Sequence, residues 1–71
     1  MIDPNDIKRD YTAHQPIGGY GFRKGMWTAI YRGQKFRFWG HVSHYSEEED
    51  QWRDLQKQAA RALLSGRAEK A

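Results

Sequence analysis

Met26-Trp27-Thr28-Ala29-Ile30-Tyr31-Arg32-Gly33-Gln34-Lys35-Phe36-Arg37-Phe38-Trp39 decides the fold. Up to Arg32 the run is rich in β-branched and aromatic residues and holds no breaker, the composition of a strand. Gly33-Gln34, with Arg32, predicts a tight turn. Beyond it, Lys35-Phe36-Arg37-Phe38-Trp39 alternates charge with aromatic, the period-2 sign of a strand with one buried face. Lys35, Arg37, Trp39 and His41 therefore share one side, and Phe36, Phe38 and Val42 share the other. The charges assign the first set to solvent. Packing Trp27 and Tyr31 inward on the preceding strand leaves Thr28, Ile30 and Arg32 outward.

Upstream lies Gly18-Gly19-Tyr20-Gly21-Phe22-Arg23-Lys24-Gly25. Three glycines in four positions suit a strand that another backbone approaches closely, or a bulge, and Lys24-Gly25 reads as a turn. The expectation is a three-stranded antiparallel meander over residues 19–42. Downstream, Ser46-Glu47-Glu48-Glu49 fits a capping box with Ser46 as N-cap and Glu49 at N3. Acids fill the first turn, while Arg53, Lys57 and Arg61 come later, as the helix dipole prefers. Trp52, Leu55, Ala59, Ala62 and Leu63 form one apolar stripe, and Ser65-Gly66 is a stop signal. A helix over residues 46–64 follows.

Residues 1–17 read as an N-terminal arm. Asp3-Pro4 resembles an N-cap with proline at the first helical position, and Ile2 and Ile7 are spaced for a hydrophobic staple. A helical turn or two over residues 4–10 and a mobile arm are both open. Residues 18–66 form the domain and residues 67–71 a frayed tail. The fold class is α+β: a three-stranded meander packed on one C-terminal helix, since only that arrangement buries both apolar surfaces. Trp27, Tyr31, Phe36, Phe38, Trp52, Leu55 and Leu63 make its expected core.

Charge is segregated. From Tyr11 to Ser46 there is no aspartate or glutamate, yet Arg23, Lys24, Arg32, Lys35 and Arg37 all fall there, with nine of the ten aromatic residues. The formal charge is +5 in that window, −1 over residues 1–10 and −1 over residues 47–71. A local positive field mixed with flat π-surfaces suits a polyanion, with cations for phosphates and rings for stacking.

Other classes find less support. The 71 residues contain no cysteine, which excludes disulfides and thiolate zinc sites. No apolar run approaches the ~20 residues that span a bilayer, so the expectation is a soluble, cytoplasmic protein that does not engage membranes. A catalytic cleft is hard to house in so small a chain, and no cofactor motif is present. His41 and His44 stand three apart near a strand end, on opposite faces, and do not converge on a metal with His14. Neither Ser43 nor Ser46 beside His44 has an orienting third group. The glycine run does not open a capped helix, so it is a poor phosphate cradle. The chain reads as a non-enzyme.

Several residues resemble the ethylene-response-factor type DNA-binding domain and the related arm-binding domains of tyrosine recombinases. They are the glycine-flanked first strand, Trp27-x-Ala29-x-Tyr31-Arg32, the glycine turn, and the arginine-bearing strand ending in Trp39-Gly40. Downstream come the glutamate-rich helix start, Ala59-Ala60, and Leu63-x-x-Gly66-x-Ala68. The resemblance covers roughly residues 18–68. It implies a three-stranded sheet laid in the DNA major groove with a helix behind it. The segment from Val42 to Ala59 is about one helical turn longer than in the family, and Gly21-Phe22-Arg23 alone stands for its Arg-Gly-Val-Arg opening. Aligning Gly40 with the family glycine turns Trp39 and Arg37 inward, opposite to the alternation.

Arg23, Lys24, Thr28, Arg32, Lys35, Arg37 and Trp39 are the candidate contacts, for nucleic acid with duplex DNA favoured. The alternative class is a small inhibitor or adaptor, of the kind viruses encode, that docks on a larger host protein. Arginine, tryptophan and tyrosine are anchors in both settings. A monomer or weak dimer is expected, the first strand offering a pairing edge.

Overall fold

The computed structural model describes residues 1–10, 22–43, 45 and 47–70, with Phe22, Arg23 and Ser43 described by their backbone alone. Two ten-residue strands dominate it: β2, Phe22–Tyr31, and β3, Gln34–Ser43. They pair antiparallel from Phe22 opposite Ser43 to Tyr31 opposite Gln34. Arg32 and Gly33 form the two-residue turn between them, with φ of 51° and 78°. Two positive φ values in succession are the mark of a type I′ turn, whose twist matches that of the flanking strands. The turn therefore falls one residue earlier than Gly33-Gln34, on Arg32 and Gly33, with Gln34 already in β3.

The antiparallel sheet with one helix C-terminal to the hairpin stands as expected, but its strands are allotted differently. Lys24-Gly25 is not a turn. β2 runs straight through it, because β3 continues to Ser43 and supplies a partner for every residue back to Phe22. The glycine run Gly18–Gly21 lies outside the described residues. The sheet has four strands in the order β1-β2-β3-β4. β1, Lys8–Arg9, pairs with Ile30 and Ala29 of β2. β4, Glu69–Lys70, pairs with Arg37 and Phe36 of β3, so the segment read as a frayed tail contributes an edge strand.

The start of the chain is tied down in three steps. Asp3 caps a 3-10 turn over Pro4–Asp6, its Oδ1 accepting the Asn5 N–H at 2.9 Å. Ile7 then enters the core, 1% exposed. Arg9 donates to Glu48 Oε1 at 2.8 Å, and Gln56 donates its Nε2 hydrogen to the Ile7 carbonyl at 2.9 Å. Two of these links reach the helix, so residues 1–10 are part of the fold.

The helix α1 spans Glu48–Ser65. Its N-cap is Glu47, without a side-chain cap bond, rather than Ser46. Glu48, Glu49 and Asp50 still place negative charge against the first-turn N–H groups, so the dipole term survives without a capping box. At the other end Gly66 is left-handed with φ 74°, and the Arg67 N–H reaches back to the Ala62 carbonyl at 2.9 Å. That is the glycine-terminated stop the sequence signals.

Leu55, Ala59 and Ala62 of α1 lie against Trp27, Ala29, Phe36, Phe38 and Val42 of the sheet, all buried. The alternation thus assigns both central strands correctly. Tyr31, Trp52 and Leu63 are only partly buried at the rim of this core. Trp52 is held from outside by the Arg9 guanidinium, 6.0 Å from its ring centroid. Small alanines at 59, 60 and 62 let the helix approach the sheet closely, so fewer large side chains are enclosed than the stripe suggests.

Gly40 marks a close approach of β3 and α1. A Cβ there would lie 2.7 Å from Gln58 Oε1, 3.3 Å from Phe38 and 3.5 Å from Leu55. Gln58 uses the space to run its amide along β3, accepting the His41 N–H at 2.9 Å and donating to the His41 carbonyl at 2.7 Å. A side-chain amide here occupies the edge of β3 beyond the end of β4.

Candidate nucleic-acid interface

The helix covers one face of the sheet. The other is built by the even residues of β2 and the odd residues of β3, in the cross-strand rows Lys24–His41, Met26–Trp39, Thr28–Arg37 and Ile30–Lys35. Residues directly opposite share a face, so these eight side chains form one surface.

That surface divides in two. Toward the hairpin turn, Thr28 and Ile30 are half-buried, and Lys35 is engaged by Asp10, with Nζ 3.6 Å from Oδ2. Asp10 is only 2% exposed, and a buried carboxylate holds a compensating cation firmly because its charge has lost water. Lys35 is thereby a structural cation more than a free one. Toward the open end the face is accessible. Trp39 is 65% exposed and Met26 46%, and Lys24, Arg37 and His41 surround them.

Arg37 faces Glu69 of β4 at 3.7 Å, with both side chains more than half exposed. An exposed pair of this kind contributes ~0–1 kcal/mol, so Glu69 yields readily to a stronger anion. Arg32 is not on this face. Its place in the turn sends it to the Tyr31 ring, 5.5 Å from guanidinium carbon to centroid. Arg23 lies in β2, but its side chain falls outside the described residues. The structure thus brings together Lys24, Arg37 and Trp39 of the expected set, commits Lys35, half-buries Thr28 and separates Arg32.

Met26 and His41 complete the accessible patch, and the period-2 pattern already contains both. Arg61 and Arg67 also approach it, lining a shallow groove of about 210 Å³ with Trp39, Gly40, His41 and Gln58. Asp54, Gln58 and Arg61 recur at helical spacing beside the apolar stripe, which is the signal that places Arg61 at this border. Among the described residues no group of three histidine, aspartate or glutamate side chains converges on a metal, and no helix is long and apolar enough to cross a membrane. No protein-family model, curated protein or solved structure matches the chain.

Proposed function

We propose that the protein binds nucleic acid, DNA in the first instance, through the helix-free face of the β2–β3 hairpin. One observation carries this reading: a largely exposed tryptophan, Trp39, stands among Lys24, Arg37 and His41 on a hairpin that contains no acid. Cations supply the sequence-independent attraction to phosphate, and the indole supplies a flat surface for a base or a groove wall. A two-stranded ribbon also matches the width of a duplex major groove, ~12 Å. With three or four phosphates neutralised, the logarithm of the affinity should fall with that of salt at a slope of about −3.

A second reading has its own support. The adjacent Met26 and Trp39 form an exposed apolar pair of the sort that anchors a protein partner. Salt separates the two. Fluorescence anisotropy with mixed-sequence single-stranded and duplex probes, at about 50 and 200 mM salt, should show binding that weakens steeply. Lys24→Ala with Arg37→Ala should reduce the slope by about two, whereas Arg53→Ala with Lys57→Ala should leave it within about one. Absence of binding to either probe at the lower salt defeats the nucleic-acid reading and leaves the apolar pair to a protein.

A further inference from the structure

The groove beside Trp39 turns the corner from the sheet onto α1. Trp39 and His41 come from β3, Gln58 and Arg61 from the helix, and Arg67 from the segment after it. Gly40 contributes no side chain, and Gln58 takes the space that its Cβ would fill. Arg67 is braced by its Nε–H bond to Ser65 Oγ at 2.8 Å. Among the described residues neither Arg61 nor Arg67 has an ion-pair partner. Asp54 accepts from Gln58 Nε2 at 3.2 Å and is the acid tied to this corner.

Backbone recognition is blocked here. Gln58 occupies both the N–H and the carbonyl of His41, so an extended peptide cannot add to β3 at this point without displacing that amide. What remains available is an indole and two guanidinium groups. Together these match one nucleotide step: a π-face for a base and paired cations for the adjoining phosphodiester.

Resting on the nucleic-acid reading above, we infer that the preferred ligand is a single strand, with a base stacked on Trp39 and its phosphate held by Arg61 and Arg67. The strand then continues across Met26 toward Arg37 and Lys24. In a duplex the faces of the bases are covered by their neighbours, so an exposed indole gains stacking only from an unpaired base. The cations also lie on two sides of the ring, Arg37 on the sheet face and Arg61 and Arg67 at the corner. That is a path for a flexible strand that can bend around the sheet edge.

The test uses the full chain and three labelled probes of about 12 nucleotides: oligothymidylate, oligouridylate and a duplex of the same length, within the span such sites cover. Single strands should bind more tightly than the duplex. Trp39→Ala should weaken oligothymidylate binding roughly 5- to 100-fold, while Trp39→Phe, which keeps a ring, should retain most of it. Arg61→Ala with Arg67→Ala removes one phosphate contact and should lower the salt slope for the single strand by about 0.7. Tighter binding of the thymidylate or of the uridylate supports the site and tells DNA from RNA. If the duplex binds at least as well as the single strands, or Trp39→Ala changes affinity less than about twofold, the single-strand site is refuted while binding by the face survives. If none of the three probes binds, the nucleic-acid reading fails and takes this inference with it.

Discussion

Replacing Gly40 by alanine should destabilise the protein through one named contact. Gly40 has no positive φ, so alanine fits its backbone and by itself would stabilise by about 0.4–1 kcal/mol through the unfolded state. The new Cβ, however, falls 2.7 Å from Gln58 Oε1. Gln58 is a flexible side chain and can swing away, which turns a clash into the loss of its two bonds to His41 at 2.9 and 2.7 Å. At about 0.5–1.5 kcal/mol for each bond, the loss is about 1–3 kcal/mol. The net cost is then about 0.5–2 kcal/mol, a fall in Tm of roughly 3–15 °C. That matters for a chain of 71 residues, whose whole stability is of the order of 4–10 kcal/mol. The decisive experiment is a double-mutant cycle by thermal or urea unfolding. In a Gln58→Ala background the bonds and the clash are already gone, so Gly40→Ala should change from a cost to a gain of up to about 1 kcal/mol. An equal cost in both backgrounds would refute the argument and move the strain to Phe38 or Leu55.

Two further perturbations follow from the packing. Trp27→Ala removes a ring that is 1% exposed and should cost about 3–5 kcal/mol, whereas Trp52→Ala at the rim should cost only about 1–2 kcal/mol. Urea midpoints measured side by side check the order, and equal losses would put Trp52 in the core. Arg32→Asn should raise stability by about 0.5–1 kcal/mol, because asparagine tolerates the positive φ of this turn better than arginine. The same variant should alter the salt slope of binding by less than about one, since Arg32 stands off the interface.

The parts of this fold that are legible in the sequence are those with a repeating signal. Alternation along Lys35–His41 fixes which side of β3 meets water, and it places Trp39 outside even though alignment on Gly40 argues the reverse. Spacing along α1 and the glycine at 66 locate the helix and its end. The edge strands escape because two residues carry no period. Lys8–Arg9 and Glu69–Lys70 become strands only because β2 and β3 are there to pair with them. The candidate site is legible to the same degree. Lys24, Arg37 and Trp39 follow from the pattern, but Lys35 is claimed by Asp10, 25 positions earlier. Arg32 is diverted because the turn falls one residue sooner. Arg61 reads from sequence as a cation at the border of the apolar stripe, and the docking of α1 brings that border beside Trp39.

Amide and indole chemical-shift changes during titration with an oligonucleotide report contact directly. The account predicts the largest changes at Lys24, Met26, Arg37, Trp39 and His41, with the Trp39 indole N–H shifting while those of Trp27 and Trp52 hold still. Changes concentrated on Glu48–Gln56 of the helix, or a Trp39 indole that does not move at saturating ligand, would contradict it.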